Sequence, residues 1–220
     1  MPVDREEIFK KILLNRESIL EKIDDESVVV YNFLLGRYNG GDITEDFLFQ
    51  FTFRSFYGLD RAGLTPGWKH MFFQIMEENK HNKDIDIHSV GKRLYDIPTQ
   101  QGANSLQFSF ITKLINLNDP NRPIYDSFVA RAFSFNPPQG RDLCNKIERL
   151  IKFYSEIEST YRWLSEDETM RAILKDFDNK FPLNKITDSK KIDFIVWTLG
   201  KIISKDKRNY SDRYSPIVQL

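Results

Sequence analysis

Asp126 sits where a carboxylate could do chemistry. The stretch Ser105 to Phe133, SLQFSFITKLINLNDPNRPIYDSFVARAF, reads as a helix, a turn and a second helix around it. The first half is apolar at helical spacing through Phe108, Ile111, Leu114 and Ile115. Asn118, Asp119, Pro120, Asn121 and Pro123 cannot continue that helix, and a new one restarts at Asp126 or Ser127. An aspartate at a helix start accepts backbone N–H bonds and meets the positive end of the helix dipole, both of which suit a carboxylate. The plain alternative is a cap without chemistry. Lys113, on the first helix, could contact a phosphate or pair with Asp126 across the turn. The expectation is the ordinary one for a lysine on an apolar helix, an ammonium carried out to solvent.

The elements that must position these residues are helical throughout. Asp4-Arg5-Glu6-Glu7 has capping-box spacing, and Ile8, Ile12, Leu13, Ile19, Leu20 and Ile23 follow with helical periodicity, predicting an opening helix to about Lys22. Ser27 to Arg37 predicts a second, more buried helix, and Asp42-Ile43-Thr44-Glu45 a second capping box. Phe47, Phe49, Phe51 and Phe53 alternate like a strand, but Phe49, Phe53, Phe56 and Tyr57 share a helical face, and the cap in front selects helix. Gly58 to Pro66 reads as a loop, and Trp68 to Glu78 and Ser89 to Tyr95 as helices leading to a turn. After the break at Pro137-Pro138-Gln139-Gly140 come helices over Arg141 to Trp163, Glu166 to Phe177 and Asp188 to Ile203, then a polar tail from Ser204 to Leu220. The expected fold class is all-α, as a single helical domain over 1–220 or two packed lobes, 1–87 plus the C-terminal helices and 88–180.

In its order of helix, proline-containing turn and Tyr125-Asp126-Ser127-Phe128-Val129-Ala130-Arg131, the chain resembles the helix-hairpin-helix DNA glycosylases. The resemblance is to their 8-oxoguanine-glycosylase-like branch, with its (V/L/Y)-D-x-x-V-x-R signature. It covers Ser89 to Phe135, with a vaguer likeness over Ile43 to Met76. It implies a multi-helix domain of that type, double-stranded DNA as partner, no cofactor, and a monofunctional N-glycosylase that removes a damaged or modified base. Asp126 would be the catalytic carboxylate, with Lys113 beside it. Gln100, Gln101, Gly102 and Asn104 would offer amides to a phosphate, and Arg131 would touch the DNA backbone. Phe53, Tyr57, Trp68 and Phe72 would build the base pocket, Trp68 being the one expected to be partly exposed.

Two positions depart from the family pattern. The turn Ile97-Pro98-Thr99-Gln100-Gln101-Gly102 carries one glycine, where the family has Leu-Pro-Gly-x-Gly. The place of the Schiff-base lysine of bifunctional members falls in Gln107 to Phe110, which holds no lysine; Lys113 lies about 5.4 Å farther along the axis. No lyase adduct through Lys113 is therefore expected. The competing reading is a non-catalytic helical module that binds DNA or a protein and has lost the reaction.

Composition sets the outer bounds. With 40% hydrophobic and 29% charged residues in 220, the chain can bury a sizeable core. No apolar run suits a membrane span, and Asp4, Glu6 and Glu7 beside Arg5 do not read as a signal peptide. One cysteine, Cys144, excludes an internal disulfide; on a face with Ile147 and Ile151 it is expected as a small buried thiol. A cytoplasmic monomer, associated with the nucleoid if it binds DNA, is the expectation. His70, His81 and His88 show no metal-ligand spacing. The formal net charge is zero, but residues 1–50 carry a net of −5 and Lys180 to Arg208 a net of +5, so a neutral protein can still show one basic face to a phosphate backbone; the plainer reading is a solvated helix end.

Overall fold

The structure, a computed structural model, describes residues 3–213, with side chains through Lys205. Eleven α-helices and no named strand occur among the described residues: α1 (Arg5–Leu14), α2 (Arg16–Lys22), α3 (Asp25–Gly40), α4 (Phe47–Phe56), α5 (Pro66–Glu78), α6 (Ile87–Tyr95), α7 (Phe108–Asn118), α8 (Ser127–Ala132), α9 (Leu143–Glu166), α10 (Glu168–Lys180) and α11 (Asp188–Arg213). The fold is all-α. Aspartate caps start most of these helices. Asp4, Asp24, Asp46, Asp86, Asp126, Asp142 and Asp167 each accept a backbone N–H from the first turn, satisfying donors a helix leaves open.

Local chemistry moves several expected boundaries. The opening helix breaks at Asn15, whose side-chain amide donates back to the Lys11 carbonyl at 2.9 Å. Asp42 does not cap a helix. Its carboxylate closes a tight turn on the Thr44 N–H and hydroxyl at 2.8 and 2.7 Å, and Asp46, paired with Arg37 at 2.7 Å, caps α4 instead. Helix α11 runs on past Ser204, where a tail was expected; the rest of that tail lies outside the described residues. Cys144, expected buried, is exposed in the first turn of α9.

Buried side chains from all eleven helices join in one hydrophobic core. Helix α11 runs through it and meets α8 closely at Gly200, where a Cβ would stand 2.1 Å from the Phe128 carbonyl oxygen. The linker between α7 and α8 is held from several sides. The Tyr125 N–H donates to Thr112 Oγ1 at 3.0 Å, Asn116 Nδ2 to the Arg122 carbonyl at 2.6 Å, and the Thr187 and Ser189 hydroxyls to the Pro120 and Asn121 carbonyls at 2.8 and 2.7 Å. Buried loop backbone is tolerated only when its polar groups are met in this way. The buried Tyr154 hydroxyl donates to the Pro123 carbonyl at 2.7 Å. Tyr154→Phe should therefore cost about 1 kcal/mol, read as a lower urea midpoint with an unchanged slope.

Candidate functional site

The pinned linker delivers Asp126 to the wall of a cavity of about 210 Å³. Helix α7 contributes Lys113, the linker Ile124 and Asp126, and α8 Phe128. Lys190, Asp193, Phe194 and Trp197 come from α11, Phe56 and Tyr57 from the end of α4, and Ser27 and Arg61 from α3 and the turn after α4. Asp126 is half-buried. Its Oδ1 accepts the N–H groups of Phe128 at 2.8 Å and Val129 at 2.9 Å, and its Oδ2 accepts the Trp197 indole N–H at 2.8 Å. Asp126 thus caps α8 and also faces the cavity, so its two possible roles coexist. Three donors fix the carboxylate's orientation, and the indole is itself braced, edge-on against Phe128 at 5.8 Å and beneath the Lys201 ammonium at 4.1 Å.

Lys113 does not reach solvent, correcting the expectation from its helix: it is 5% exposed. Its Nζ donates to Ser109 Oγ at 2.5 Å and lies over the rings of Phe110 and Tyr57 at 4.9 and 5.3 Å. It forms no direct ion pair with Asp126. Burial pushes its pKa from 10.5 down to about 8; Asp126 and Asp193 pull it upward, and Lys190 depresses it further.

This has a consequence for stability. Because the unfolded chain holds that proton to about pH 10.5 and the folded one only to about 8, the penalty on folding is complete below pH 8 and disappears as pH rises to 10.5. Lys113→Met should stabilise the protein by about 3 kcal/mol at pH 7, with the gain in melting temperature shrinking as the pH is raised toward 10.5.

In the cavity wall, Lys190 and Asp193 form a buried ion pair at 2.7 Å, their side chains 3% and 7% exposed. Asp193 Oδ1 also accepts the Ile124 N–H at 3.0 Å, tying α11 to the linker two residues before Asp126. Neither residue was singled out from sequence, nor were Trp197 and Arg61. A signal existed in the spacing of Lys190, Asp193, Phe194 and Trp197, which are one face of a helix, with two opposite charges embedded in an otherwise apolar run.

The other residues expected at a site are placed as follows. Tyr57 lines the cavity, but Phe53, Trp68 and Phe72 are fully buried core, Trp68 stacked on Phe72 at 5.3 Å; the expected partial exposure of Trp68 is corrected. Aromatic residues at helical spacing found each other rather than solvent. Gln100, Gln101, Gly102 and Asn104 are exposed but stand apart from the cavity. Several of the turn's donors are spent internally: the Thr99 N–H on Ala103, the Gln100 N–H on Gly63, the Gln100 side-chain amide on Leu64 and the Gly102 N–H on Thr99. Arg131 donates to the Ser204 hydroxyl, bracing α8 against α11.

The basic run from Lys180 is not one solvated face. Lys180 caps the end of α2 through the Leu20 and Ile23 carbonyls, Lys190 is buried, and Lys191 bridges Asp178 and Asp188. The side chains of Lys207 and Arg208 lie outside the described residues. Exposed Arg61 lines the cavity, and the half-buried Lys201 ammonium lies over the Trp197 ring.

Among the described residues no group of His, Cys, Asp and Glu is placed to hold a metal ion, and no helix is long and apolar enough to cross a membrane. Comparison with protein-family models, with curated proteins and with solved structures returned no match.

Proposed function

We propose that this protein is a DNA N-glycosylase of the helix-hairpin-helix type, removing a damaged or modified base that is swung out of the duplex into the Asp126 cavity. The observation that carries this reading is the meeting of an oriented, half-buried carboxylate with the buried amine of Lys113 at one aromatic-walled cavity. In the proposed reaction the bond between C1′ and the base breaks, its electrons leave with the base, and positive charge spreads over C1′ and the ring oxygen. Asp126 stabilises that charge and accepts the proton of the water that adds to C1′. Lys113, whose pKa of about 8 lies near neutrality, carries a proton it can hand to the departing base and recover from Asp126. The sugar gains a hydroxyl and the base a hydrogen, so the step balances as a hydrolysis.

The experiment is a panel of duplexes carrying damaged or modified bases, incubated with protein in excess and assayed for abasic sites. At least one member should lose its base. A second reading, a binding module without the reaction, is favoured by a specific observation: the turn's Thr99, Gln100 and Gly102 amides are engaged within the protein, so main-chain phosphate capture would need other donors. Under that reading every duplex in the panel stays intact.

A further inference from the structure

Helices α3 and α4 present an apolar face that nothing covers among the described residues. The two lie antiparallel. Arg37 pairs with Asp46 at 2.7 Å at one end, Val30 and Phe51 line a shared groove midway, and Ser27 and Phe56 line its far end. The outer side of α4 carries Phe47, 76% exposed, Phe51, 60% exposed, and exposed Leu48. On α3, Phe33 shares a stripe with Val30 and Arg37, both of which face α4, and exposed Val29 lies one turn before it. With about 200 Å² to a phenylalanine, the five exposed side chains leave on the order of 500 Å² of apolar surface. A patch of that size on a globular chain commonly marks an interaction site.

The charges around the face select its occupant. Asp24, Asp25 and Glu26 are exposed at the start of α3 and repel a phosphate backbone, so the face does not suit nucleic acid. The α3 stripe runs Glu26, Val30, Phe33, Arg37, acidic at one end and basic at the other. A two-fold axis crossing α4 at Phe51 lays each helix antiparallel on its own copy. Glu26 then comes level with Arg37 of the second copy, Val30 with Phe33, large Phe47 with small exposed Ser55, and Phe51 with itself. Arg37 keeps donors beyond its bond to Asp46. The formal net charge of zero leaves no overall repulsion between two such molecules.

We propose that this face joins two copies of the chain in an isologous dimer, α3 and α4 of one against α3 and α4 of the other, with Phe51 at the axis. An apolar centre with a charged rim is the usual anatomy of such interfaces. Ser27 and Phe56 line both the groove and the Asp126 cavity, so the second copy borders that cavity on one side. The dimer requires no assumption about the reaction at Asp126.

Sedimentation velocity tests it. The wild type should be dimeric at about 100 µM, whereas Phe51→Glu and Phe51→Lys should each be monomeric there, because like charges meet at the axis. Mixing these two variants should restore a dimer. Phe47→Ser, which adds no charge, should weaken association by about tenfold or more. A wild type that stays monomeric, leaving the face to a different protein, would overturn the proposal, as would a dimer that survives Phe51→Glu or a mixture that remains monomeric. Should a charged variant lose its helical circular dichroism, Phe47→Ser decides, and an unchanged dissociation constant there overturns the proposal equally.

Discussion

Under the proposed glycosylase reaction, Asp126→Asn should slow base release by about 10²- to 10³-fold, the usual cost of removing a preorganised charge partner from a transition state. Asparagine has the same shape and keeps an oxygen for the Phe128 and Val129 N–H groups, so α8 remains capped. What changes is the other arm, which now presents N–H groups to the Trp197 indole N–H in place of an acceptor. That lost bond costs about 1–2 kcal/mol of stability, visible as a lower melting temperature with unchanged helical circular dichroism. DNA affinity should hold or rise slightly, since a negative charge has been removed. Single-turnover abasic-site formation is the measurement, and wild-type rates in this variant would remove Asp126 from the chemistry.

Gly200→Ala has the largest expected structural effect. The added methyl would lie 2.1 Å from the Phe128 carbonyl oxygen, 2.6 Å from its carbon and 3.0 Å from its Cα, all backbone atoms that cannot turn aside. Helices α8 and α11 must then separate. Between them run the Asp126 to Trp197 bond and the Arg131 to Ser204 bond, both of which depend on that approach. A loss of about 3 kcal/mol or more is expected, together with a change in the Trp197 indole environment. Chemical denaturation followed by tryptophan fluorescence measures both; a midpoint within error of wild type would mean that the two helices are not held at this distance.

How far the molecule was legible from its residues depends on the range of the interactions. Helix existence and the position of Asp126 are local matters, set by prolines, aspartate caps and apolar spacing, and these were readable. Asn15 and Asp46 show the limit of that reading, because a side chain returning to its own backbone moves a boundary without changing the apolar pattern.

Burial of individual polar groups was not readable. Lys113, Lys190 and Lys191 look like surface charges in sequence; Lys190 and Lys191 pair with Asp193 and Asp188 on their own helix, but only packing by other helices takes the three ammonium groups out of solvent. The Trp197 bond to Asp126 spans 71 residues and has no local signature. Gly200, in the middle of an apolar helix, was the available hint: a glycine costs helix stability there and commonly marks a close approach of backbones.

The role given to Asp126 is stabilisation of positive charge at C1′, and it can be measured without knowing the substrate base. One duplex carries, in place of the target nucleotide, a pyrrolidine ring that is cationic at neutral pH; a second carries the neutral tetrahydrofuran ring of the same shape. The wild type should bind the cationic duplex at least about 10²-fold more tightly, and Asp126→Asn should erase the preference. Equal affinity of the wild type for the two duplexes would contradict a carboxylate working on the sugar, leaving Asp126 as the cap of α8 and the partner of Trp197.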